Sequence, residues 1–150
     1  MSFHPVISIK LLTFAKVNKK NEFGTMTLEI GLTSTVAMQV CEEKTAAAVG
    51  SGDLPVLATP MMIALMERAA VSAISPAMEP VLTSVGTRVE VSHVKATPVG
   101  QTVRATATLT GMERRQLDFR VEARNETGEL LGEGMHRRVI VEREKFMGKL

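Results

Sequence analysis

The sequence predicts an α+β chain in which an antiparallel sheet wraps one long central helix. Three observations carry this. Only one segment, residues 59–75, has convincing helical start and stop signals. The chain after it is a run of short alternating segments separated by turn residues, as in consecutive hairpins. One strand-like segment precedes it, so the order is strand, helix, four strands, with a single apolar sheet face to bury against the helix.

The helix lies in "LPVLATPMMIALMERAAVSAI", Leu54 to Ile74. Thr59-Pro60 is the start signal: threonine suits the N-cap, and proline suits the first helical position. At 100° per residue, Arg68, Ser72 and Ser75 form a narrow polar stripe. Ile63, Glu67, Ala70 and Ile74 share another face, which is apolar apart from Glu67. Pro76 stops the helix. The helix is therefore expected to be mostly enclosed, with Glu67 off its polar stripe.

Before the helix, "STVAMQVCEEKTAAAV" (Ser34 to Val49) alternates Val36, Met38 and Val40 with Ala37, Gln39 and Cys41, which reads as a strand; "GSGDLP" from Gly50 is a loop. After it, "SVGTRVEVSHVKA" places Val85, Thr87, Val89, Val91 and His93 on one face and Arg88, Glu90 and Ser92 on the other. "TPVG" at Thr97 is a turn. "QTVRATATLT" sets Val103, Ala105, Ala107 and Leu109 against Thr102, Arg104, Thr106 and Thr108. "RQLDFRVEAR" sets Leu117, Phe119, Val121 and Ala123 against Asp118, Arg120, Glu122 and Arg124. "NETGE" at Asn125 is a turn, and "LLGEGMHRRVIVE" is the last strand. This is the hot-dog arrangement. Its exposed edge strand favours pairing of two copies into a homodimer.

The chain has 150 residues, enough for one domain with its own core. With five Phe and neither Trp nor Tyr, that core must be filled by Val, Ala and ten Met. A net charge of +2, with both signs interspersed, argues against nucleic acid as a partner. The lone Cys41 excludes an internal disulfide framework and fits a reducing, cytoplasmic setting. No segment reaches the roughly 18 apolar residues of a membrane span. In "MSFHPVISIKLLTFAKVNKKNEFG" the apolar run from Val6 to Phe14 is broken by Lys10 and lacks a small-residue cleavage pattern, so it does not read as a secretory signal. Residues 1–25 are read as an N-terminal arm, with Met26 an alternative start, and residues 26–150 as the single domain.

Three residues can do chemistry. Glu67 is a carboxylate on an enclosed face, where it needs a partner or a proton. His93 ends the apolar alternation of its strand, on the face that meets the helix. Thr59 sits at the helix N-terminus, where backbone N–H groups favour developing negative charge. Each alone has an ordinary structural reading: a rim carboxylate paired with a base, a core histidine bonded to a carbonyl, an N-cap. Two titratable groups aimed into one apolar interface are a stronger signal than either alone. His136, in "GEGMHRR", alternates with Met135, and either could face inward; His4 carries no signal. Three scattered His and one Cys give no metal-ligand spacing. There is no phosphate loop and no G-x-S-x-G elbow.

These residues resemble a known family. "LPVLATP…MERA…VGTRVEVSHVKATPVG" is similar to the fluoroacetyl-CoA thioesterase-like group of hot-dog thioesterases, over about Met26 to Phe146. The resemblance implies a catalytic Thr in "VLAT" (Thr59), a catalytic Glu in "MERA" (Glu67) and a catalytic His in "HVKATP" (His93). Gly86, in "VGT", resembles the family glycine whose backbone lines the substrate site. The stretch that holds an aromatic lid in the fluoroacetyl-selective enzyme is here "AVGSGDLP", without an aromatic, which points to another small or medium acyl group.

The expected function is therefore acyl-CoA thioester hydrolysis, with Glu67 as general base, His93 orienting the nucleophile or protonating the leaving sulfur, and Gly86 and the helix N-terminus as oxyanion donors. Neither metal nor organic cofactor is expected; coenzyme A enters as part of the substrate. Two alternatives use the same fold: a non-catalytic dimer that holds an acyl-CoA or small acyl ligand, and a hydratase or dehydratase. Thr59 and Glu67 are eight residues apart, about 12 Å along a helix. A direct bond between them within one chain is thus not expected.

Overall fold

The computed structural model describes residues 27–150, together with the backbone of two short antiparallel strands, β1 (Lys20–Asn21) and β2 (Gly24–Thr25). The expected arm, residues 1–25, and the alternative start at Met26 otherwise lie outside the described residues.

Five strands form the main sheet: β3 (Thr33–Gln39), β4 (Leu82–Val91), β5 (Thr102–Glu113), β6 (Gln116–Arg124) and β7 (Leu130–Glu142). Their order is β3-β5-β6-β7-β4, and every pairing is antiparallel. Three helices interrupt or follow them: α1 (Ala46–Val49), α2 (Thr59–Ile74) and α3 (Arg143–Met147). The long helix α2 packs on β3, β5 and β6. This is the expected hot-dog arrangement. The consecutive-hairpin expectation holds for β5, β6 and β7 only. β4 pairs with β7 instead of β5, because α2 carries the chain across the sheet from one edge, β3, to the other, β4.

The core follows the predicted alternation. Val103, Ala105, Ala107 and Leu109 of β5 and Leu117, Phe119, Val121 and Ala123 of β6 are buried. They meet Met62, Leu65, Met66, Ala69, Ala70, Ala73 and Ile74 of α2. Small alanines on both sides let the helix approach the sheet closely, and methionines fill what remains. The polar stripe of α2 finds partners at the β3 edge: Arg68 donates to the Ala37 carbonyl at 3.0 Å, and the Ser34 hydroxyl donates to Ser72 at 2.9 Å.

Two expectations fail locally. The strand expected over Ser34–Val49 ends at Gln39; a 3-10 turn (Glu42–Lys44) and α1 follow. Alanine-rich 46–48 is a good helix former, and the Thr45 side chain accepts from the Ala48 N–H at 3.2 Å, capping it. In β4 the single face predicted from Val85 to Val91 is broken by a β-bulge. Gly86 lies opposite Arg138 and Arg88 opposite Arg137, so Thr87 is an extra residue. Val89 and Val91 face the helix side, opposite His136 and Gly134, whereas Val85, opposite Val139, turns to the other side.

Candidate active site

Two clusters of polar side chains form along α2. The first is at its N-terminus. The segment leading into the helix is clamped to the turn after β4: Leu57 N–H donates to the Thr97 carbonyl at 2.8 Å, and Val56 bridges Pro98. The segment after β4 is in turn held on β7, where Ser92 N–H donates to Glu133 O at 2.9 Å and Val94 N–H to Leu131 O at 2.6 Å. These backbone bonds bring Thr59 to His93, with Oγ1 2.7 Å from Nδ1. A cleft of about 260 Å³ opens beside the pair, lined by Ala46, Val56, Leu57 and Val94 among others.

Thr59 is not the N-cap expected from the sequence. Ala58 takes that place, and Thr59 and Pro60 open the first turn. Its hydroxyl is therefore free to engage His93. Met61 and Met62 N–H both donate to the Ala58 carbonyl, and Pro60 has no N–H. Among the described residues, the Thr59 N–H is the donor of this turn left without a partner. Burial pushes the His93 pKa down, toward a neutral ring; the Lys95 backbone offsets part of that, without a hydrogen bond of ordinary geometry to the buried Nε2.

The second cluster surrounds Glu67. Its Oε2 accepts from Arg138 Nη1 at 2.9 Å and lies 3.5 Å from His136 Nε2. Arg138 is buried and held at all three nitrogens: Nε donates to the Ser84 hydroxyl at 2.8 Å, Nη2 to the Ser84 carbonyl at 2.9 Å, and Nη1 also lies 3.1 Å from His136 Nε2. His136 Nδ1 is 2.8 Å from the Arg88 carbonyl. A carbonyl can only accept and a guanidinium can only donate, so Nδ1 carries the hydrogen and Nε2 the lone pair. The ring is neutral. Burial depresses its pKa first of all and Arg138 adds to this, against the Arg88 carbonyl and Glu67.

Gly86 borders this cluster. A Cβ there would lie 2.5 Å from Glu67 Oε2 and 3.2 Å from His136 Cε1. The glycine is thus needed for the carboxylate to approach β4. The face carrying Glu67 is less enclosed than the sequence suggested. The Glu67 side chain is 38% exposed, and Pro60, Ala64 and Val71 on the same side of α2 are exposed as well.

Of the residues singled out in the sequence, Thr59 and His93 are in contact, as are Glu67 and Gly86. Among the described residues, no hydrogen bond or ion pair joins the two clusters. His136 faces inward and Met135 outward. Arg138 and Ser84 went unmarked in the sequence. The available signal was the alternation of β7, which puts Arg138 on the same face as His136, two charged or polar residues on a face that must be buried.

A family model described as fluoroacetyl-CoA-specific thioesterase matches residues 40–144, a span that contains both clusters. The chain belongs to the fluoroacetyl-CoA-specific thioesterase family. It is 44% identical to the fluoroacetyl-CoA thioesterase of Streptantibioticus cattleyicolor over 95 residues, 63% of this chain and 68% of that one. Among solved structures it is similar to a mutant of the fluoroacetyl-CoA thioesterase FlK in complex with acetyl-CoA, at 35% identity and a TM-score of 0.77, covering 81% of this chain and 96% of that one. It is also similar to a thioesterase superfamily member from Thermus thermophilus, at 31% identity and a TM-score of 0.74, covering 80% and 88%. Among the described residues no helix is long and apolar enough to cross a membrane.

Proposed function

We propose that the protein hydrolyses small or medium acyl-CoA thioesters, with Thr59, His93 and Glu67 as its reacting side chains. The observation that carries this reading is the 2.7 Å contact between Thr59 Oγ1 and His93 Nδ1 beside an unpartnered backbone N–H, in a chain of this thioesterase family. A hydroxyl bonded to a ring held toward its neutral form has the arrangement of an activated nucleophile. In the first step Thr59 Oγ attacks the thioester carbonyl and His93 accepts its proton. The carbonyl oxygen becomes an oxyanion, for which the Thr59 N–H and the α2 N-terminus are the donors. As the C–S bond breaks, the proton passes from His93 to the coenzyme A sulfur. In the second step Glu67 takes a proton from water, the water oxygen attacks the acyl-threonine, and as the bond to Thr59 Oγ breaks and the acid leaves, the proton held by Glu67 is returned to Oγ. Gly86, beside Glu67, is the candidate lining of the acyl end of the site. No metal or organic cofactor takes part. With no aromatic between Ala48 and Pro55, the acyl pocket is not closed by a ring, which favours acyl groups other than fluoroacetyl.

The working form is proposed to be a homodimer in the cytoplasm. Support comes from the open edge of β4, where Val89 is 40% exposed on the helix side, and from the exposed Pro60–Ala64–Glu67–Val71 face of α2. In that dimer Glu67 of one chain would serve the Thr59–His93 pair of the other, since about 12 Å of helix separates Thr59 from Glu67 within one chain.

A panel of acyl-CoA thioesters with a free-thiol readout tests the activity. Turnover of at least one short or medium thioester, lost about 10²–10⁴-fold in Glu67→Gln, is the expected result. Acyl-CoA that co-purifies and is held without turnover would favour the non-catalytic binder, and hydration of an enoyl-CoA without thiol release would favour the hydratase. Mass spectrometry of Glu67→Gln after mixing with substrate should show an acyl adduct on Thr59; its absence, with hydrolysis intact in wild type, would make Thr59 a water-positioning group.

A further inference from the structure

Glu67 is held through one oxygen, by Arg138 alone. Arg138 Nη1 and His136 Nε2 lie 2.9 and 3.5 Å from Oε2, while Oε1 has no partner among the described residues. The carboxylate is thus tethered by one oxygen on a side chain that is 38% exposed. The tether is itself rigid. Arg138 is 6% exposed, and Ser84 holds it through both its hydroxyl and its carbonyl, while His136, fixed on the Arg88 carbonyl, offers a lone pair to the same Nη1. Such a chain runs from the backbone of β4 to the carboxylate through two side chains of β7. Nothing in helix packing alone would fix the rotamer of a half-exposed glutamate, whose side chain has several free torsions.

We propose that Arg138, held by Ser84 and neutral His136, is a positioning residue that fixes Glu67 so that Oε1 alone is presented to the attacking water. This rests on the reading of Glu67 as the base. Arg138 touches neither Thr59 nor His93, so its effect on turnover must pass through Glu67. Bidentate or forked contacts are what arginine supplies and lysine does not, so the replacement is not conservative here.

The experiment is a double-mutant cycle on the full-length chain, reading kcat and KM for the best thioester. Arg138→Met and the milder Ser84→Ala, which removes only the hydroxyl that accepts from Nε, are each made alone and in a Glu67→Gln background. Circular dichroism and urea titration check folding. Arg138→Met is expected to lower kcat about 10²-fold, as for a misplaced catalytic group, with KM little changed. Ser84→Ala is expected to lower it less, and Arg138→Lys is expected to recover part of the loss. In the Glu67→Gln background neither Arg138→Met nor Ser84→Ala should reduce kcat further. Folded variants whose losses multiply with that of Glu67→Gln, or that change KM and not kcat, would overturn the proposal. If Arg138→Met does not fold, Ser84→Ala decides by the same criterion. Glu67→Gln alone reports separately on the base: near wild-type turnover in that single variant refutes the base reading and the positioning role with it, whereas a full loss there combined with additive losses refutes only the role of Arg138.

Discussion

At the scale of single residues, both clusters depend on histidines kept neutral by burial. His93 can then take a proton from Thr59, and His136 can offer Arg138 a lone pair. The consequence for pH follows from their depressed pKa values. In the unfolded chain a histidine takes up its proton around the ordinary value of 6.5, and in the folded chain only at lower pH. The unfolded state then binds more protons just below that value, so stability rises with pH there. We expect the urea midpoint to be flat above about pH 7 and to fall progressively as the pH drops below 6.5. His136→Gln should be less stable at pH 7.5 but should show a shallower decline between pH 6.5 and 5.5. Equal slopes in variant and wild type would mean that His136 is not held neutral.

At the scale of elements, β4 and β7 approach each other more closely than side chains allow. A Cβ on Gly132 would collide with the Ser92 carbonyl and meet Met62 Cε at 2.9 Å, and one on Gly134 would collide with the Glu90 carbonyl. Backbone oxygens in a ladder cannot move aside. Gly132→Ala should therefore lower the unfolding free energy by about 1–3 kcal/mol. It should also loosen the His93 segment, which hangs on the Val94–Leu131 bond, so that activity falls more than the lost stability accounts for. Chemical denaturation and kcat at one temperature check both halves. Much of this architecture was legible beforehand. The alternation holds from Thr102 to Leu109 in β5 and throughout β6, and the Thr59-Pro60 start and Pro76 stop bracket α2 to within two residues. What could not be read has physical reasons. A bulge such as that at Thr87 leaves no mark on composition, yet it reverses every side chain on one side of it. The N-cap assignment of Thr59 rested on residue type, whereas Ala58 takes the cap position and the Thr59 hydroxyl bonds His93, a partner 34 residues away. Arg138 was missed for a similar reason: the alternation of β7 pairs it with His136, but an arginine in a strand reads as solvent-facing until its Glu67 partner is known.

At the scale of the whole molecule, the 12 Å along α2 between Thr59 and Glu67 sets a geometric problem that a homodimer can resolve. Mixing experiments test that solution without any knowledge of the substrate. Thr59→Ala and Glu67→Gln should each be nearly inactive as homodimers. If each site takes Thr59 and His93 from one chain and Glu67 from the other, unfolding and refolding the two variants together assembles heterodimers with one intact site. Recovery of about a quarter of wild-type activity is then expected for random pairing, because half of the dimers carry one site of two. No recovery, with dimers confirmed by sedimentation, would place all three residues in a site built from one chain.

The uncapped start of α2 has a thermodynamic face as well. Ala58 offers no side-chain oxygen to the first turn, and the one hydroxyl nearby is turned toward His93. A serine, aspartate or asparagine in that place would typically add about 1 kcal/mol to the fold. Ala58 forgoes that, and an acceptor for the first turn is one that a thioester oxygen, or a carboxylate product, can supply. Ligand and helix cap would then be one interaction seen from two sides. A carboxylate product or a non-hydrolysable acyl-CoA analogue present at about 100 times its Kd should raise the unfolding free energy by about 2.7 kcal/mol. The amide protons of Thr59, Met61 and Met62 should exchange more slowly in its presence than those at the far end of α2. A uniform slowing along the helix would show that the ligand stabilises the fold without completing its first turn.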